Sequence, residues 1–301
     1  MKTILKKLFV VVLLTGFMQA CNEPLVEEQS PNDVELKSAQ TGKTSYIVVL
    51  KDSELDLELK NLKGYEMRQQ AAQKAAEKVM KRAGLTDGEL GFVYGTAIKG
   101  FSIKIPPGQL KKLENDSSVK FIEENQTITL IQPMAKPGDG DVQATAQTTP
   151  WGISRVNGGV NYTGKKAWII DSGIDLDHPD LNVNISLSKT FVPRTSSADD
   201  DNGHGSHVAG TVAAKNDGIG VVGVAAGAEL VAVKVLDRRG SGSYDGVIAG
   251  IDYVANNASP GDVANMSLGG PVSQALDDAV IAAAAGGIKF ALAAGNESDD
   301  A

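Results

Sequence analysis

The sequence predicts an α/β protein: a parallel sheet with helices on both faces, preceded by a smaller α+β domain of ferredoxin-like order. Two patterns predict it. After residue 150, short apolar runs alternate with segments of helical period, as in a sheet covered on both sides. Before residue 131 the order is βαββαβ, and the loop 132–145 between the two halves has no apolar periodicity.

The elements follow in order. A β-branched strand is expected at 45–50. A helix at 66–83 carries Met67, Ala71, Ala75, Val79 and Met80 at helical spacing and stops at Gly84. Period-two strands at 92–98 and 101–105 turn at Lys99-Gly100, and a short helix at 109–114 precedes a strand at 119–124. In the second half the expected strands are 166–170 (running into Asp171), 231–236, 263–268 and 289–294. The expected helices are 204–215, 244–256 and 274–285. Aromatic content of 5% with 33 glycines suits tight turns and small-residue packing better than an all-β shell.

Lys2, Lys6 and Lys7 precede an apolar run from Leu8 to Phe17, then Gln19, Ala20 and Cys21. This is the make-up of an export signal, too short to span a membrane permanently. Cys21 is the sole cysteine, so an intrachain disulfide is excluded. Its place resembles a bacterial lipoprotein signal, in which the thiol is acylated, although Met18 and Gln19 are not the preferred residues there. Cleavage after Ala20 is the alternative. The domain plan is therefore 1–21 signal, 22–44 polar linker, 45–131 small domain, 132–145 linker with a processing site, and 146–301 the larger domain. An exported protein, extracellular or held at the cell envelope, is expected. The net charge of −8 falls wholly after residue 145, which argues against a nucleic-acid partner.

In a doubly covered parallel sheet, reactive groups gather at the carboxyl ends of strands. Asp171 ends one strand in Ile169-Ile170-Asp171-Ser172-Gly173, and a carboxylate buried there needs a partner. His204, between Gly203 and Gly205 at a helix start, offers one: an imidazole can take a proton with one nitrogen while the other donates to Asp171. Ala293-Ala294-Gly295-Asn296 places an amide at another strand end, where it can donate to a developing oxyanion.

The Asp171 block, the block Asn202-Gly203-His204-Gly205-Ser206-His207, Asn265-Met266-Ser267-Leu268-Gly269-Gly270 and the Asn296 block together resemble the subtilase family, in that family's order. Ser206 stands where the family usually has Thr. The 45–131 segment resembles the family's inhibitor I9-type propeptide, through Tyr46-Ile47-Val48-Val49-Leu50 and Lys99-Gly100-Phe101.

The resemblance implies a subtilisin-like serine endopeptidase made as a zymogen. Asp171 would orient the imidazole, His204 would be the general base and Asn296 the oxyanion donor. Gly240, Ser241 and Gly242 on one side, and Ser267, Leu268 and Gly269 on the other, would flank an extended peptide substrate. It also implies a structural Ca²⁺ site built from the side chains of Gln147, Asp180 and Asp217 and the carbonyls of Lys215, Ile219 and Val221. Solvated surface acids at Asp180 and Asp217 are the alternative to the ion, which is the favoured reading. The run Asp199-Asp200-Asp201 reads as a solvated stretch, and no role is assigned to it. Partners would be protein substrates and the chain's own propeptide, with the enzyme a monomer.

The family's Gly-Thr-Ser-Met block, which carries the nucleophilic serine, is absent from the 301 residues. The expectation is a fragment of a longer gene product, itself inactive, with processing near 143–147. The alternative is a catalytically dead remnant, or a surface-anchored inhibitor acting through the small domain. Two other readings fail on context. Gly218-Ile219-Gly220-Val221-Val222-Gly223 follows a helix rather than a strand, unlike a dinucleotide loop. His204 and His207 lack the intervening Glu of zinc proteases.

Overall fold

The computed structural model describes residues 42–52, 59, 61–130 and 146–295. The readings of Cys21, the linkers and the processing segment lie outside the described residues, as does that of Asn296.

The small domain has the expected order. Strands β1 (Thr44–Leu50), β2 (Glu89–Gly95), β3 (Lys99–Ile105) and β4 (Val119–Glu124) form an antiparallel sheet in the order β2-β3-β1-β4, with helices α1 (Tyr65–Arg82) and α2 (Leu110–Glu114). Period two divides β1 between two cores. Tyr46, Val48 and Leu50 pack with Ala71, Ala76 and Val79 of α1, while Ile47 and Val49 face the opposite way into the core of the larger domain. The small sheet is thus covered on both faces, by its own helix and by its neighbour.

One expected turn is displaced. The β2–β3 hairpin turns at residues 96–98, and Lys99 and Gly100 belong to β3, paired with Gly95 and Tyr94. Gly100 serves close approach instead: a Cβ there would lie 2.1 Å from the carbonyl oxygen of Val48 on the neighbouring strand. Helix capture explains the shift, because Asp252 of the larger domain binds the backbone N–H groups of Thr96 and Ala97, each at 2.7 Å.

A short strand β5 (Thr127–Thr129) leaves the small domain. The larger domain begins with helix α3 (Trp151–Arg155), then β6 (Val160–Asn161), β7 (Lys166–Asp171), β8 (Lys189–Thr190), helix α4 (His204–Ala213), β9 (Ala225–Ala226), β10 (Glu229–Lys234) and β11 (Ser241–Ser243). Helix α5 (Tyr244–Asn257), β12 (Val263–Met266), helix α6 (Gln274–Ala285) and β13 (Lys289–Leu292) complete it.

Strands β13-β12-β7-β10-β8 form one parallel sheet in that order. Alternation along β7 makes the three layers. Trp168 and Ile170 point into the core shared with α5 and α6, and Ala167 and Ile169 into the core under α4. Each fully buried aliphatic side chain of this kind contributes about 1.5–3 kcal/mol relative to exposure. Strand β10 begins two residues earlier than the sequence suggests, because Glu229 and Leu230 pair in register with Lys166 and Ala167. Strand register, a long-range property, decides this boundary.

Candidate active site

Asp171 is the last residue of β7 and is fully buried. Its Oδ1 accepts the backbone N–H of Ser172 at 2.7 Å and lies 2.7 Å from Nδ1 of His204, the first residue of α4. Glycines make this approach possible. Gly173 has φ of +112° and a Cβ there would meet the carbonyl oxygen of Ala198 at 2.5 Å. At Gly205 a Cβ would lie 2.0 Å from the carbonyl oxygen of Gly173 and 3.2 Å from Cβ of Asp171, so only glycine lets α4 start this close to β7.

The hydrogen bond to Asp171 raises the pKa of His204 above its ordinary value; partial burial opposes this, and the charges of Asp171 and Asp200 add to the rise. The ring keeps 15% of its side-chain surface open. Nδ1 is engaged with the carboxylate, which leaves Nε2 to exchange a proton with a bound group. The second oxygen of Asp171, Oδ2, is buried without a hydrogen-bond partner among the described residues.

A second feature of this domain is an extended strand. β5 pairs antiparallel with β11: Thr129 opposite Ser241, Ile128 opposite Gly242 and Thr127 opposite Ser243. The backbone N–H of Leu130 donates to the carbonyl of Gly240 at 2.8 Å, and that of Tyr244 to the carbonyl of Gln126 at 3.0 Å. The Ile128 side chain is buried in the cluster that holds Tyr244, Val247 and Leu268. On the far side a Cβ on Gly270 would come within 3.4 Å of Ile128 Cγ1. Gly240, Ser241 and Gly242 therefore stand next to an extended strand supplied by the chain itself, and Leu268 shares the core cluster of its Ile128. Ser267 accepts from Asn265 Nδ2 at 2.8 Å, and Gly269 has open space where a side chain would be.

The residues expected around a cation also converge. Nε2 of Gln147 donates to the carbonyl oxygens of Lys215 (2.8 Å), Ile219 (3.1 Å) and Val221 (3.5 Å). Asp180, almost fully buried, accepts the N–H groups of Lys215 at 3.1 Å and Val221 at 3.3 Å, while Asp217 Oδ1 accepts from Ile219 N at 3.2 Å. Ala146 and Thr148 form β-bridges to Ile219 and Val221, which fastens the segment after 145 to this loop.

Three features went unread in the sequence. The acidic run at 199–201 is not simply solvated: Asp200 accepts five hydrogen bonds around the His204 loop, and Asp201 pairs with the buried Lys234 at 2.6 Å. Asp252 and Glu123 join the two domains. Asp252 holds the β2–β3 turn, while Glu123 of β4 accepts from Ser273 Oγ and from the N–H groups of Gln274 and Ala275, at the start of α6. An acid at a helix start is a readable signal when it precedes the helix in sequence; here it comes from 150 residues away.

A carboxylate-oriented imidazole at the carboxyl edge of a parallel sheet covered by helices, with a short chain segment paired on β11, defines an α/β class of protein. Comparison with known proteins is specific on family. Residues 164–301 match the family model described as Subtilase family, and residues 45–130 match Peptidase inhibitor I9. Alkaline serine exoprotease A of Vibrio alginolyticus is 40% identical over 238 residues, covering 75% of this chain and 42% of that protein. Subtilisin E of Bacillus subtilis is 46% identical over 196 residues, covering 62% of this chain and 47% of its own length. A solved cold adapted subtilisin-like serine proteinase is 39% identical, covers 49% of this chain and 56% of that one, and superposes with a TM-score of 0.41. Residues 164–301 thus belong to the subtilase family, with an inhibitor I9 domain ahead of them. The chain spans less than half the length of these curated relatives.

Proposed function

We propose that the chain is the precursor portion of an exported serine endopeptidase, in which the I9 domain folds against the subtilase domain and blocks it until it is cut away. The observation that carries the reading is the 2.7 Å pair of His204 and Asp171, taken together with a substrate-like strand already lying on β11. Asp171 holds the imidazole by Nδ1 and stabilises its charged form. His204 Nε2 takes the proton of a serine hydroxyl as that oxygen attacks the peptide carbonyl, then returns it to the departing amine. Asn296 donates to the carbonyl oxygen as it becomes an oxyanion. The serine belongs to the share of the relatives' length that these residues do not span.

Backbone pairing explains how substrate is held without a fixed sequence. The bonds at Gly240 and along β11 engage main-chain groups, and one substrate side chain fills the pocket that Ile128 fills here. Occupying those bonds with residues 127–130 is the inhibition.

Ca²⁺ fits the Gln147 loop. Three carbonyl oxygens aimed at one point, with Asp180 and Asp217 beside them, supply the oxygen donors a hard cation needs. Exchanging the oxygen and nitrogen of the Gln147 amide adds one more donor, at the cost of the bond its Oε1 accepts from the Gly218 N–H at 3.3 Å. A bound ion would lock the segment starting at Ala146 to the loop 215–221, and so stabilise the new N-terminus.

Cutting near 143–147 separates 146–301 from everything before it. If Cys21 is acylated, the lipid stays with the I9 side and cutting frees the enzyme from the membrane. Sequencing the N-terminus of the mature product tests the site of cutting, and radiolabelled fatty acid tests the anchor: label on the mature enzyme contradicts the release.

A further inference from the structure

We propose that Asp200 is a positioning residue: its carboxylate sets the approach of His204 to Asp171 by binding at once the loop that follows β7 and the first turn of α4. The inference rests on the reading of Asp171 and His204 as orienting acid and general base.

Five donors surround this one side chain. Oδ1 accepts from Ser172 Oγ at 2.9 Å and from the N–H groups of Asn202 and Gly203, each at 3.0 Å. Oδ2 accepts from the N–H of Ser206 at 2.9 Å and from its hydroxyl at 2.6 Å. Burial pushes the carboxyl pKa up, but these bonds outweigh it and hold the group below the ordinary aspartate range.

The need is local. Gly203, the residue before α4, has φ of +100° and no side chain with which to cap the helix. The N–H groups of a helix start want acceptors, and Asp200 provides one from three residues upstream. Ser172 carries the constraint across: its hydroxyl accepts the N–H of Gly205 at 2.9 Å, and its own N–H binds Asp171. The direct Asp171–His204 bond is therefore one side of a closed ring whose other side runs through Ser172 and Asp200.

The neighbours of Asp200 anchor it. Asp199 Oδ1 accepts the N–H of Leu176 at 3.1 Å, and Asp201 binds Lys234 at 2.6 Å. Lys234, at the end of β10, also donates to the carbonyl of Ser172. The charged groups facing His204 are thus Asp171 on β7 and Asp200 before α4, with Lys234 on β10 paired to Asp201. Both carboxylates favour the imidazolium.

The test compares the complete gene product with its Asp200→Asn and Asp200→Glu variants on a peptide substrate across pH. Asp200→Asn should lower kcat on the order of 10- to 100-fold, as small misplacements do, leave KM nearly unchanged, and move the acid-side midpoint of kcat to lower pH. Asp200→Glu keeps the charge but not the reach, so it should restore the midpoint without restoring kcat. An unchanged kcat in Asp200→Asn, a loss confined to KM, or an unmoved midpoint overturns the proposal. Should Asp200→Asn not fold, Ser206→Ala removes the hydroxyl bond to Asp200, together with the one the hydroxyl accepts from the Asp175 N–H, and keeps the charge; a lower kcat at an unmoved midpoint supports the role, and an unchanged kcat overturns it. If the wild type hydrolyses nothing, the endopeptidase reading fails by itself. NMR titration of the His204 ring then still decides the role of Asp200: a lower pKa in Asp200→Asn supports it, and no change overturns it.

Discussion

Asp252, buried in α5 of the subtilase domain, grips the I9 domain at Thr96, whose N–H it binds at 2.7 Å. It also accepts from Ala97 at 2.7 Å, from Gly95 at 3.3 Å and from Gln69 Nε2 at 3.0 Å. Burial raises its pKa to about 6, against the pull of these hydrogen bonds and of Arg68.

A pH dependence follows. The acid's pKa is higher folded than unfolded, so its contribution is fully present below about 3.8 and is lost as pH rises through about 6. A shift of that size corresponds to about 3 kcal/mol. Urea unfolding of the 301-residue chain from pH 4 to 7.5 should show wild-type stability falling relative to Asp252→Asn across this window. Parallel curves would count against it.

His204 predicts a second profile. Its pKa is raised chiefly by the bond to Asp171, and the general base must be neutral, so kcat of the complete gene product should fall on the acid side with a midpoint above 6.5. In stability the sign is that of a raised base: the imidazolium pair contributes below 6.5 and the contribution fades as pH rises through the raised value. Asp171→Asn should cost about 10⁴-fold in kcat, the size seen when the orienting carboxylate of a serine protease is removed. A midpoint at or below 6.5 would contradict the pairing.

Gly205→Ala tests the packing under the site. The added methyl meets the carbonyl of Gly173 and the Cβ of Asp171, so α4 must shift away from β7. The expected result is loss of the downfield Nδ1 proton of His204 by NMR, with overpacking destabilising the domain by about 1–3 kcal/mol. A retained downfield resonance would show that the two elements need no glycine between them.

Calcium is tested by heat. Chelator should lower the melting temperature of the complete gene product, and Asp217→Ala should abolish the difference. Equal melting with and without chelator rejects the site.

How much of this was legible in the sequence depends on range. Period-two and helical patterns placed the βαββαβ domain and the parallel sheet, because each element's burial is written in its own residues. Asp171 and His204 are readable because a carboxylate closing an apolar strand and an imidazole between two glycines at a helix start are locally odd. What was lost is non-local. The turn at 96–98 is set by Asp252, some 155 residues away, and Gly100 was mistaken for a turn residue because its real neighbour is Val48 across the sheet. The acidic run 199–201 carries no local sign of its contacts, because a carboxylate reads the same in sequence whether water or, as at Asp200, five hydrogen-bond donors surround it. Strand β5 carries no apolar signal beyond Ile128, and exists only because β11 receives it.

In the proposed maturation His204 acts, with Asp171, on the chain's own polypeptide. The most direct measurement is N-terminal sequencing of the complete gene product and of its His204→Ala variant, each purified and incubated alone. A new N-terminus near 143–147 is expected in the wild type and an intact junction in the variant. The same new N-terminus in both would contradict it.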